Sequence, residues 1–196
     1  MTTTTWSDFD PPVRPPVLPE TDVSYAVEET AVGRLLLAVR ADGRLVTSAY
    51  VPDDDAETHW LQRVSDVVSP RVLRQARPLD TARRELAAYL DGRARHLETP
   101  VDLALASAFQ REVLEQLAGR VGYGETTTYG ALAGEIDRPR ASRAVGTALG
   151  ANPLCLFVPC HRVLPAGGGV TGRVGVGGYA GGPAAKEFLL RLEQPD

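Results

Sequence analysis

Residues Thr127–Leu149, TTYGALAGEIDRPRASRAVGTAL, decide the fold. Two apolar-periodic runs, about 128 to 136 and 140 to 149, flank Asp137-Arg138-Pro139, a turn signal that bars one continuous helix. Thr127 or Thr128 can cap the first helix, and Pro139 lies just before or within the first turn of the second. Two short helices joined by a tight turn suggest a helix-turn-helix, although a helical pair inside a core has the same spacing. The second run, Arg140 to Leu149, carries mostly small side chains beside its two arginines. A helix that reads the major groove needs long polar residues, whereas small ones permit close approach to a narrow minor groove. They equally permit helix-on-helix packing, and composition does not choose between the two.

Upstream, Phe109, Val113 and Leu117 mark one face of a helix, followed by the Gly122-Tyr123-Gly124 turn. Thr99-Pro100 is the expected boundary. Before it, Arg34–Arg40 and Arg44–Tyr50 alternate like strands around Asp42-Gly43, a hairpin signal. Residues 56–68 and 80–90 read as helices; Ala82, Leu86 and Leu90 recur every fourth position and Asp91-Gly92 stops the run. The expected organisation is a flexible Pro/Thr-rich tail over 1–22, an α/β unit over 23–98 and a second unit over 99–196.

The 196 residues are 43% hydrophobic and 23% charged, proportions that exclude wholesale disorder. A net charge of −4 excludes generic coating of nucleic acid or anionic membrane. Residues 1–100 hold 12 basic and 16 acidic groups, and residues 101–196 hold nine of each. Two cysteines five positions apart cannot staple a fold, and His59, His96 and His161 lack metal-ligand spacing. No zinc or other metal is expected, and His59 and His96 are read as structural. With no spanning apolar run and no signal-peptide pattern, the expectation is a cytoplasmic monomer with reduced thiols and no membrane contact.

Reactive groups concentrate in Asn152–Val163, NPLCLFVPCHRV. Leu154–Val158 reads as a short buried strand that delivers Cys160 and His161 beyond Pro159. Cys155 reads as a small buried hydrophobe. Cys160 differs, because His161 and Arg162 follow it and a nearby base or cation favours the thiolate.

Val158-Pro-Cys-His-Arg-Val163 resembles the acceptor-cysteine motif of the O6-alkylguanine-DNA alkyltransferases. Phe109–Val113, Tyr123–Thr126, Tyr129–Ala133, Arg143–Gly146, Asn152-Pro153, Tyr179–Gly182 and Lys186–Leu190 also look like family blocks in family order. Together they run through nearly all of residues 100–193. The resemblance implies an α+β fold: a small ribonuclease-H-like N-terminal α/β domain and a winged helix-turn-helix-like alkyltransferase domain. It implies direct-reversal repair without a cofactor, moving the alkyl group of O6-alkylguanine, or of O4-alkylthymine, in double-stranded DNA irreversibly onto Cys160. A Cys160–water–His161–Glu193 network would carry the thiol proton away, and Asn152 would be the hinge between helix pair and active-site strand. Arg143 would enter the base stack, and Tyr129 would rotate the nucleotide out and donate to guanine N3. Thr128, Ala144, Gly146, Thr147 and Gly150 would lie along the DNA minor groove. Val158, Pro159, Tyr179, Ala180 and Arg173 would bound the substrate pocket.

The chain departs from the family in the run from Val163 to Gly178, which is longer than the family spacing and has seven glycines in 16 residues. That loop is expected to widen or gate the pocket. Three other readings compete: a non-catalytic lesion-binding relative, against which Cys160 argues; a thiol hydrolase; and a repurposed transferase acting on a bulkier or non-DNA adduct.

Overall fold

A computed structural model describes residues 22–170 and 174–194. The tail expected over 1–22 lies outside the described residues but for Asp22, and so does Arg173. Strands β1 (Val23–Thr30), β2 (Gly33–Arg40) and β3 (Leu45–Tyr50) form an antiparallel meander. The β2–β3 turn falls at Asp42-Gly43, where Gly43 takes φ 84. A fourth strand, β4 (Val72–Arg74), runs parallel to β1 and completes the order β3-β2-β1-β4. Three residues are too few to show an alternation, which is why β4 was not expected.

Helices α1 (Asp54–Val67) and α2 (Asp80–Leu90) cover the two faces of this sheet. Successive β2 side chains alternate between them. Leu35, Leu37 and Val39 pack with Leu79 and Leu86 on the α2 side, whereas Leu36 and Ala38 pack with Val64 and Trp60 of α1.

Helix α3 (Ala108–Arg120) begins with a Ser107/Gln110 capping box. The helix pair follows as α4 (Tyr129–Glu135) and α5 (Ser142–Gly150), and α6 (Gly182–Leu192) comes last. Of the two threonines, Thr128 is the cap: its hydroxyl accepts from the Ala131 N–H at 3.1 Å. Pro139 precedes α5 outside its first turn. Two short strands, β5 (Thr127–Thr128) and β6 (Val163–Leu164), pair in parallel beside the helix pair. The architecture is the expected α+β class.

Val113, Leu117, Leu132 and Val145 share one apolar cluster with Leu35, Leu37 and Leu86, so residues on both sides of Thr99-Pro100 pack into a common core. The open edge of β3 is occupied at both ends. Leu45 donates to Pro100 O and accepts from Asp102 N, each at 2.8 Å; Ser48 donates to Pro153 O and accepts from Cys155 N, each at 2.8 Å. This pairing removes an exposed edge and brings the reactive segment against the N-terminal sheet.

It also overturns the expected strand over Leu154–Val158. Leu154 and Cys155 bridge to neighbours, but Leu156 takes φ 70 and Val158 N donates back to Leu154 O at 2.7 Å. The segment is a buried turn. A turn and a strand that bury the same apolar residues look identical in composition, and the reversal depends on the pairing with Ser48. No helix among the described residues is long and apolar enough to cross a membrane.

Candidate active site

Cys160 stands at the end of this turn. Pro159 adopts φ −82, ψ 59, an inverse γ-turn, and Cys160 N donates to Val158 O at 2.8 Å. The thiol is buried, and Asn152 holds it. Asn152 Nδ2 donates to Val158 O at 3.0 Å and to Cys160 Sγ at 3.1 Å, while its Oδ1 accepts from Leu154 N at 2.9 Å. Asn152 follows α5 directly after Ala151, so it ties the helix pair to the reactive turn.

Cys155 is more than a filler of the core. Its Sγ has two acceptors in reach, the Asn152 carbonyl at 3.6 Å and the Cys160 sulfur. The hydrogen bond from Cys155 holds the Cys160 thiol below its ordinary value; burial opposes this, and the Asn152 amide and the Lys186 charge reinforce it. The same bond and burial push Cys155 up. Cys160 is therefore the thiol of the pair that ionises more readily, and Cys155 the one that keeps its proton. The rate of Cys160 alkylation should rise with pH to a plateau whose inflection lies below the roughly 8.5 of a free cysteine. Cys155→Ala should move that inflection upward, and an unmoved profile would contradict the pairing.

His161 is fully buried, with Nε2 2.7 Å from Glu193 Oε1. Burial lowers its pKa, and the contact with Glu193 offsets this only in part. The imidazole is neutral at pH 7 and carries its proton on Nε2, facing the carboxylate. Nδ1 is buried without a protein hydrogen bond. His161 and Glu193 touch directly, with no room for a water between them. The two residues are 32 positions apart in sequence, and that closeness comes from α6 packing behind the turn.

Glu193 caps the C-terminus of α6, where the helix dipole disfavours a carboxylate. Burial disfavours it further, yet its donors bring the pKa down to about 2. They are His161, Arg162 through Nε at 2.8 Å and Nη2 at 3.1 Å, the Tyr89 hydroxyl and the Gly124 N–H at 3.1 Å. Arg162 also donates to Val121 O at 2.8 Å. Sequence reading took Arg162 only as a cation beside Cys160, whereas its guanidinium pairs with Glu193, and it passed over Tyr89. Tyr89 comes from α2, 104 positions from Glu193, and leaves no local signal.

A cavity of about 220 Å³ opens over the sulfur, lined by Tyr129, Gly146, Leu149, Cys160, Tyr179 and Ala180 among others. Val158 and Pro159 stand behind the thiol and do not line it. Lys186 is buried, and its Nζ donates to Val163 O at 2.7 Å and Gly178 O at 3.2 Å, clasping both ends of the Gly-rich run. Burial pushes its pKa down to about 8. A groove bordered by Tyr129, Ser142, Arg143, Gly146, Pro165 and Ala166 adjoins the cavity. Arg143, Ala144, Thr147 and Gly150 are exposed along α5, with Thr147 Oγ1 donating to Arg143 O at 3.1 Å. The Thr128 hydroxyl is taken up by the α4 cap. Among the described residues no three His, Cys, Asp or Glu side chains gather as a metal site. What the arrangement can do is nucleophilic displacement: a buried thiol of lowered pKa at the floor of a small cavity, with a neutral imidazole next to it in the chain and a fixed carboxylate in contact with that imidazole.

Comparison with known proteins points the same way. The family model described as 6-O-methylguanine DNA methyltransferase, DNA binding domain, matches residues 108–195. The chain is 36% identical to the methylated-DNA–protein-cysteine methyltransferase of Mycolicibacterium paratuberculosis, over 88% of this chain and 93% of that protein. It is also 36% identical to the protein of that name from Methanosarcina acetivorans, over 86% and 97%. The crystal structure of Mycobacterium tuberculosis O6-methylguanine methyltransferase superposes with a TM-score of 0.69 at 32% identity, covering 88% of this chain and 93% of that one. The M. tuberculosis OGT in complex with DNA superposes equally, at 0.69 and 30% identity, over 87% and 92%.

Proposed function

The chain belongs to the methylated-DNA–protein-cysteine methyltransferase family, whose work is direct-reversal DNA repair, and from that premise we propose how its own residues perform the transfer. Cys160 takes the alkyl group of O6-alkylguanine, or of O4-alkylthymine, from double-stranded DNA. The observation that carries this reading is the hydrogen-bonded, lowered-pKa Cys160 thiol on the floor of the cavity.

The Cys160 proton passes through a water to His161 Nδ1, and the imidazolium so formed is stabilised by Glu193. The sulfur then attacks the alkyl carbon in line. An S–C bond forms, the C–O6 bond breaks, and the electron pair leaves on the guanine. Tyr129, on the cavity wall, donates to N3 as charge develops there, and the proton taken up by His161 is returned through solvent so that guanine leaves neutral and Tyr129 stays a phenol. The products are guanine and a thioether on Cys160. No group in the site can cleave a thioether, so each chain acts once.

The target base must leave the duplex, because a thiolate in a 220 Å³ cavity cannot reach a stacked base. Arg143 fills the gap from the groove side, while Ala144, Gly146, Thr147 and Gly150 give α5 a low profile suited to the minor groove. Residues 23–98 act as a supporting α/β unit and 99–196 as the DNA-binding, alkyl-accepting unit, working as a monomer in the cytoplasm.

Titration with a duplex containing O6-methylguanine tests this. Methyl transfer should stop at one equivalent per chain, and continued turnover would contradict it. The second unit has balanced charge, so the salt dependence of duplex binding should be shallow. A log–log slope smaller in magnitude than about 5 is expected; one near that of a protein neutralising ten phosphates would contradict groove fit as the main contact.

A further inference from the structure

The wall of the cavity is built from a segment with little stiffness of its own. Tyr179 and Ala180 face the sulfur, but they sit among Gly177, Gly178, Gly181 and Gly182, of which Gly177 takes φ 76 and Gly182 takes φ 83. Such a segment needs an outside partner to hold one shape. That partner is Tyr50, the last residue of β3 in the N-terminal sheet, in register with Leu35 of β2. Its ring meets the Tyr179 ring edge-on with centroids 5.4 Å apart, and its hydroxyl donates to the Tyr179 hydroxyl at 3.3 Å. Tyr179 in turn sits edge-on to His161 at 6.3 Å.

Gly181 records how closely the two parts fit. Its φ of −83 suits any residue. Even so, a Cβ built there would fall 2.4 Å from Tyr50 Cζ and 2.5 Å from Cε1. The tyrosine ring, and not the backbone conformation, is what requires glycine at 181.

We propose that Tyr50 determines which adducts the pocket accepts, by pinning the Tyr179–Ala180–Gly181 wall against the N-terminal sheet. This rests on the alkyl-transfer reading of Cys160. Tyr50 does not line the cavity and acts through Tyr179, so it is a positioning residue. Removing its ring leaves room directly behind Tyr179. The Tyr179 side chain can then fall back, and the cavity grows at the side where the alkyl group lies. Bulky groups gain relative to methyl, because the wall no longer resists them while the thiolate and its relay are untouched.

The test compares transfer rates from duplexes carrying O6-benzylguanine and O6-methylguanine. Tyr50→Ala should raise the benzyl-to-methyl ratio about tenfold, the size of effect expected for altered room in an apolar pocket. Tyr50→Phe keeps the ring and should leave the ratio within about threefold of the parent. Gly181→Ala should lower both rates by driving the ring into Tyr179, and adding Tyr50→Ala should relieve that loss, since the new methyl then has space. This pair also guards against a poorly folded Tyr50→Ala, because rescue by a second substitution is not a property of an unfolded chain. Rates that fall together with an unchanged ratio would overturn the proposal, and so would a Gly181→Ala loss of equal size with and without Tyr50. A parent protein that transfers neither group would instead overturn the alkyl-transfer reading on which this one stands.

Discussion

Glu193→Gln should lower the rate of alkyl transfer by a factor of about 10² to 10⁴, the range for losing a proton-relay partner. It should also destabilise the fold by about 3–5 kcal/mol. Both effects come from one change. The substitution keeps the shape of the side chain but removes the charge that three elements converge on: His161 and Arg162 from the reactive turn, Tyr89 from α2 and the Gly124 N–H. Arg162 then remains buried as a cation without its counter-charge, and His161 loses the group that stabilises its protonated form. The pH dependence has a definite sign. Glu193 has a folded pKa of about 2 against an ordinary 4.5, so its contribution is fully present above about pH 4.5 and is lost as pH falls through about 2. That shift corresponds to about 3 kcal/mol, undiminished by solvent because the side chain is buried. His161, with a lowered pKa, adds loss in the same acidic direction. Denaturant titrations at pH 7 and pH 3 check this: the gap between parent and variant should narrow at the lower pH. A variant within about 1 kcal/mol of the parent at pH 7 would show that the network is not what holds this end of the molecule.

Cys160→Ser should abolish transfer outright, to below about a thousandth of the parent rate, while duplex binding stays near that of the parent. Asn152 can donate to a hydroxyl as it does to the sulfur, so the turn survives. The loss is electronic. A hydrogen bond and a nearby lysine ease the ionisation of a thiol, but a serine hydroxyl starts far too high for them to ionise it. Residual transfer of a tenth or more of the parent rate would mean that another group is the acceptor.

Much of this was legible from residue order. The Asp42-Gly43 hairpin, α1, α2 and the α4–α5 pair stand where turn residues and apolar periodicity place them, because those signals are local. The nucleophile and its neighbour were legible because Cys160 and His161 are adjacent in the chain. What was hidden depends on contacts between distant segments. Leu154–Val158 folds back as a turn because β3 takes up its first residues, and no five-residue apolar run announces that. Tyr89 and Tyr50 reach the site from the N-terminal sheet and its helix across 104 and 129 positions, to Glu193 and Tyr179. Cys155 sits in the apolar core as the rule for a buried cysteine has it, but that rule is silent on its influence on a second thiol nearby.

The most direct test of the central claim is the intact mass of the protein before and after one equivalent of duplex containing O6-methylguanine, followed by peptide mapping. The predicted result is a gain of one methylene on every chain, located on Cys160, with Cys155 unmodified and no gain in Cys160→Ala. A parent that keeps its original mass, or a methyl group mapped to any other residue, would contradict it.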